Sequence, residues 1–231
     1  VLPLLAGGQV AAVQNILLPV CILTMCAGVV GALGRKGFRE ILSFHIISQV
    51  GYMVLALAFW TRAGVAAGVF YIAHHMIVKT GLFFSAGAAE LISKDKAATG
   101  LAVTHPHLSA GFFLPAMALA GLPPLSGFWA KLFVLKAGFE AQAWVSVGAA
   151  VIVSFFTLAS MLKIWNFTYW GVPNSQDVVL DRRLTTPIYV LALLSLIIGL
   201  TAAPLYSWLE PIADQILDPR IYIRAVVEGS R

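Results

Sequence analysis

LPAMALAGLPPLSGFWAKLF, residues 114–133, is the stretch that decides the fold. An apolar run is interrupted by Pro123 and Pro124, with Gly121 and Gly127 on either side. Proline has no amide hydrogen to donate and glycine costs a helix conformational entropy, so a continuous helix is not expected through this segment. Two half-helices flanking a break are predicted instead. Backbone groups freed at mid-membrane depth are tolerated only where protein or a water-lined cavity satisfies them, so the break points to an aqueous pathway. Discontinuous helices of this kind recur at transporter ion sites. Lys131 follows Pro124 by seven residues, about 10 Å along a helix, and is expected to face that pathway. The alternative is a proline kink whose lysine pairs with a neighbouring subunit.

The rest of the chain calls for the same solvent. Of 231 residues, 60% are apolar and only 11% charged, and the mean hydropathy is +0.89, far from the balance a water-exposed surface needs. Six apolar stretches can be marked, at 11–34, 39–60, 64–92, 108–139, 143–170 and 186–209. The expected fold is an all-α polytopic membrane protein: a single transmembrane domain of about six helices, the fourth broken near 121–127. The formal charge of +5 does not signal nucleic acid, because the basic residues lie between apolar runs and form no stripe with interleaved aromatics. Cys21 and Cys26 fall in one apolar segment and read as small packing residues. The chain opens VLPLLAGGQV, without Met or a basic leader, and is expected to begin inside a longer protein.

Charge between the stretches predicts orientation. Arg35, Lys36 and Arg39, then Lys94 and Lys96, then Arg182 and Arg183 occupy alternate connections on one side, which the positive-inside rule makes cytoplasmic. Both ends of the chain are then expected outside. Trp60, Trp144, Trp170 and Trp208 sit near predicted helix ends, where an interfacial aromatic belt would place them. The tail from Glu210 to Arg231 is too polar to span.

The ionisable residues that cannot reach water carry the functional reading, since each costs about 3 kcal/mol at the centre of a membrane helix. In GVAAGVFYIAHHMIVKTGLFFSAGAAEL, residues 64–91, Lys79 lies about midway, and His75 precedes it by four residues on the same helical face. The pair forms a two-member proton relay, the alternative being two polar residues held for packing. His74 points about 100° away around the helix and reads as a packing residue. His45 lies two turns inside the cytoplasmic end of the second helix, with Ser48 and Gln49 close behind. It either passes protons between the cytosol and the lysines or serves as a helix contact. Lys136 is a secondary candidate for an exit site, while Lys163 and Glu90 lie near helix ends and read as local structure. No motif for flavin, quinone, haem, an iron–sulfur cluster or another metal site is present, so neither cofactor nor metal is expected.

Three runs, GRKGFREILSFHIISQVGYM (34–53), FYIAHHMIVKTGLF (70–83) and LAGLPPLSGFWAKLFVLKAGF (119–139), resemble the C-terminal half of the D subunit of the Mrp (Mnh) multisubunit Na+/H+ antiporters. That family is homologous to the antiporter-like, proton-pumping subunits of respiratory complex I. The resemblance covers the first five helices; the sixth and the tail are consistent with it without being diagnostic. It implies a fold of two inverted five-helix repeats, each with a broken helix, and a polar axis joining half-channels. Lys131 then matches the central lysine of the second broken helix, where a complex I relative has glutamate. His75 and Lys79 match the polar pair of the preceding family helix, and His45 a position on the same axis. The first repeat, with its glutamate–lysine pair and bridging lysine, has no counterpart here, so the six helices correspond to roughly the ninth to fourteenth of a complete subunit.

The resemblance therefore implies a secondary ion transporter rather than an enzyme, set in a bacterial cell membrane. Its partners would be other antiporter subunits, its ions protons and Na+. The alternatives are a proton-pumping subunit of complex I or of a membrane-bound hydrogenase, and, from another class, a structural membrane subunit without its own ion path.

Overall fold

The computed structural model describes residues 10–92, 99–173 and 180–218. In chain order the helices are α1 (Val10–Gly34), α2 (Phe38–Ala58), α3 (Arg62–Ile92), the short α4 (Leu101–Thr104), α5 (Pro106–Ala120), α6 (Ser126–Glu140), α7 (Trp144–Ile164), α8 (Arg182–Leu200) and α9 (Ala202–Leu217). No strand occurs among the described residues. α1, α2, α3, α8 and α7 with its extension are long and apolar enough to cross a membrane. α5 and α6 in series supply the length of one more crossing. The chain is an all-α, multi-pass membrane protein.

α3 is the axis of the bundle, packed against α2, α5, α6, α8 and α9. Its small residues Gly64, Ala66, Ala67, Gly68, Gly81, Ala86, Ala88 and Ala89 let neighbours approach. α1 lies along α2 at a seam of small residues. A methyl group on Gly28 would collide with Ser48, and one on Gly51 would stand 2.9 Å from the Met25 amide nitrogen. α7 ends in one turn of π-helix, Trp165–Tyr169, which turns Tyr169 inward to stack on Phe112 with ring centroids 4.5 Å apart.

Side-chain contacts sort the connections into two ends. Lys163 at the end of α7 donates to the carbonyls of Leu33 (2.7 Å) and Arg35 (2.6 Å), capping α1. The Gly100 amide donates to the Trp170 carbonyl, and Arg39 pairs with Glu90 at 2.9 Å. The connections at 35–37, 99–100 and 170–173 therefore share one end. At the other, Gln14 donates to the carbonyls of Ala58 and Phe59, Arg62 pairs with Asp214 at 3.0 Å, and the Tyr206 hydroxyl donates to the Ala63 carbonyl. Lys94, Lys96 and the tail beyond Asp218 lie outside the described residues.

The last crossing departs from the expected 186–209. Asp181 accepts the Arg183 amide as an N-cap, starting α8 at Arg182, and α8 stops at Leu200. Thr201 leaves helical geometry at φ −103°, ψ 19°, and Pro204 has no amide hydrogen to return to Leu200. Residues 202–209 begin a separate helix, α9. Trp208 accordingly lies within α9, 75% exposed, rather than near the end of a spanning helix.

Candidate functional site

The break in the fourth crossing is built by its sequence. Gly121 adopts φ 94°, a left-handed cap open to glycine, and its amide and that of Leu122 return to the Met117 carbonyl. Chain from Gly121 to Leu125 then separates α5 from α6. Gly127 lets α6 restart against α5, since a methyl there would run into the Ala118 carbonyl. No side chain caps the start of α6. The Ser126 hydroxyl instead meets His74 Nδ1 at 2.8 Å and the Ser195 hydroxyl at 2.9 Å, tying α3, α6 and α8 together at the break.

Lys131, 6% exposed, reaches back across the break and donates from Nζ to the Ala120 carbonyl at 2.8 Å. That oxygen belongs to the last residue of α5, one of the carbonyls a helix end leaves without an internal partner. The ammonium also stands 5.6 Å from the Tyr52 ring centroid. Lys79, 5% exposed, donates to the Leu42 carbonyl at 2.5 Å and stands 5.7 Å from the Phe83 ring. No carboxylate pairs with either lysine among the described residues. Each ammonium, with three donors, keeps N–H bonds beyond the one given to a backbone carbonyl.

The remaining predicted residues divide. His75 is buried next to Lys79, and both line a cleft of about 810 Å³ that runs to Arg39 and Glu90. His45, fully buried, joins the Ser160 hydroxyl at 2.5 Å and lies within electrostatic reach of Lys79, Lys131 and His75. His74 is packed edge-on to Tyr71 and anchors Ser126. Lys136 is drawn away from the group: it is exposed and sits 3.9 Å from Glu140 on its own helix. A second cavity, about 240 Å³, opens beside Lys131 against Gly121, Phe128 and Ser154. No group of three or more metal-ligating side chains occurs among the described residues.

Sequence reasoning passed over Tyr52, Tyr71, Ser126, Ser160 and Ser195. Tyr52 was the most findable, two turns from His45 on one face of α2. Its hydroxyl donates to the Ala150 carbonyl and lies 2.9 Å from Ser154. The serines sit on distant segments and carry no local signal.

A polytopic helical bundle with one crossing broken between α5 and α6, and two buried lysines that bond backbone carbonyls and meet no carboxylate among the described residues, defines an antiporter-like membrane fold. The chain belongs to the NADH:quinone oxidoreductase/Mrp antiporter transmembrane family, whose profile matches residues 1–157. The D subunit of a Na+/H+ antiporter from Alkalihalophilus pseudofirmus is 42% identical over 89% of this chain, and that from Bacillus subtilis 31% identical over 89%. The chain spans 43% of the length of each of these two relatives. Among solved structures, a chain of the Mrp complex from Dietzia sp. superposes with a TM-score of 0.86 at 33% identity, covering 92% of this chain and 49% of that one. A chain of respiratory complex I from Thermus thermophilus shares the fold, at a TM-score of 0.81 and 24% identity over 90% of this chain and 45% of that one. The resemblance to the antiporter D subunit read from the motifs agrees with these matches.

Proposed function

We propose that this chain is the ion-translocating part of an antiporter subunit in a bacterial cell membrane, working with other subunits of a multisubunit complex that exchanges Na+ for protons. Lys131 and Lys79 carry the proton, His75 and His45 relay it, and His74 sets the break through Ser126. The observation that carries this reading is the setting of Lys131: a buried ammonium, without a carboxylate among the described residues, held by the carbonyl that the helix break releases. A cavity at each lysine provides for water to reach it. The end bearing Arg35, Lys36, Arg182 and Arg183 is assigned to the cytoplasm, which puts both ends of the chain outside.

The test is Na+-driven proton flux in inverted vesicles carrying the full assembly, with Lys131→Ala and Lys79→Ala in the complete subunit and assembly followed on native gels. Loss of flux from normally assembled complexes is the expected result. Full flux in both variants would overturn the proposal, and failed assembly with normal flux per assembled complex would mark the lysines as structural.

A further inference from the structure

α2 carries a polar stripe through the middle of the bundle. His45, Gln49 and Tyr52 share one face and are 0%, 0% and 1% exposed. The stripe joins the two lysines: Lys79 bonds the Leu42 carbonyl near one end, and Lys131 stands over Tyr52 at the other. Ten residues of helix separate those points, about 15 Å.

Hydrogen-bond chemistry along the stripe is incomplete in a directed way. The Ser160 hydroxyl donates its hydrogen to the Thr157 carbonyl at 2.8 Å, so toward His45 it acts as an acceptor. The His45 ring is then protonated on Nε2, and Nδ1 carries a free lone pair. That Nδ1 has no partner among the described residues. One turn further on, Tyr71 donates to Gln49 Oε1 at 2.6 Å, which turns the Gln49 amide nitrogen away, and that nitrogen also has no partner among the described residues. A buried acceptor and a buried donor thus stand four residues apart on one face, with roots about 6 Å from each other. His75 Nε2, within electrostatic reach of His45 from α3, is a third such atom. The Ser48 hydroxyl, also without a partner among the described residues, lies instead at the α1 seam, where Gly28 abuts it.

We propose that Gln49, Tyr71 and His45 form a bound-water site that bridges the Lys79 and Lys131 halves of the path, with Gln49 as its positioning residue; this rests on the function proposed above. The Gln49 N–H donates to the water oxygen and turns one water O–H toward His45 Nδ1. A buried water needs two to four polar partners, and these three side chains supply them. When an excess proton reaches the water, it passes to Nδ1: the water returns to neutral H2O, the imidazole becomes imidazolium, and the reverse hop restores both. Gln49 neither gains nor loses a proton.

The experiment compares Gln49→Leu, Gln49→Asn and Lys131→Ala in the complete complex, by Na+-driven proton flux in inverted vesicles. Gln49→Leu is expected to lower flux at least tenfold at normal assembly. Gln49→Asn, which keeps the amide and leaves room for water, is expected to recover most of it. Full flux in Gln49→Leu beside a dead Lys131→Ala would overturn the water site and leave the proposed function standing; full flux in both would remove the function as well. An equal loss in Leu and Asn would overturn the positioning role. Should Gln49→Leu not assemble, hydroxyl-radical footprinting of the unaltered complex decides. Oxidation at Tyr71 and His45 above that of Phe70, which is buried against Phe133 and has no polar side-chain atom to hold water, supports bound water, and oxidation no greater than at Phe70 overturns it.

Discussion

Gly127→Ala is the sharpest test of how the break is held. The added methyl would stand 2.7 Å from the Ala118 carbonyl carbon, 2.9 Å from the His74 ring, and closer still to the Ala118 oxygen. Ordinary contact begins near 3.4 Å, so the carbonyl carbon alone asks the start of α6 to retreat from α5 by about 0.7 Å, and the nearer oxygen asks for more. The obstacle is main chain at the cap of α5 and cannot swing aside as a flexible side chain would. Overpacking of this kind costs about 1–3 kcal/mol, a drop of roughly 5- to 160-fold in the folded-to-unfolded ratio. The same retreat pulls Ser126 from His74 and Lys131 from the Ala120 carbonyl, so flux is expected to fall with stability. Gly148→Ala is the control, because nothing lies within 4 Å of a methyl placed there and alanine favours a helix by about 1 kcal/mol. The assay is the temperature at which the purified complex loses half its size-exclusion peak, beside vesicle flux. A Gly127→Ala complex as heat-stable and active as Gly148→Ala would refute the close approach of the two half-helices.

Other contacts make smaller, separable predictions. Lys163→Met removes the cap from the Leu33 and Arg35 carbonyls; a loss of about 1 kcal/mol in stability is expected for one partly exposed charged donor, with flux per assembled complex unchanged in the same vesicles. Arg62→Met breaks the pairs with Glu210 and Asp214 that hold α9 to α3. Both pairs are about half exposed, so each is worth about 0–1 kcal/mol. Heat stability should fall slightly in low salt, and the difference from the unaltered complex should vanish in high salt.

Particular residues show where the reading of the sequence stopped. The break was legible because Pro123, Pro124 and Gly121 act through their own backbones, and that chemistry needs no neighbours. Lys79 and Lys131 were legible because charge in an apolar run is costly wherever the run ends up. Lys136 looked similar by sequence, yet it faces outward beside Glu140, since helical phase relative to neighbours is set by packing. The end of α8 was misjudged because Thr201 and Pro204 interrupt a stretch whose hydropathy alone looks continuous.

The sequence by itself thus determined the solvent, the helical class, the broken crossing and which ionisable residues lie in apolar runs, because apolar length, proline chemistry and the cost of a buried charge are local properties. Only the tertiary structure decided which carbonyl each lysine bonds, that His74 and Ser195 meet at Ser126, and that the α2 stripe runs from one lysine to the other. Ser160 lies 115 residues from His45 and Ser195 lies 69 from Ser126, and no pattern within one helix encodes which distant helix will be packed against it.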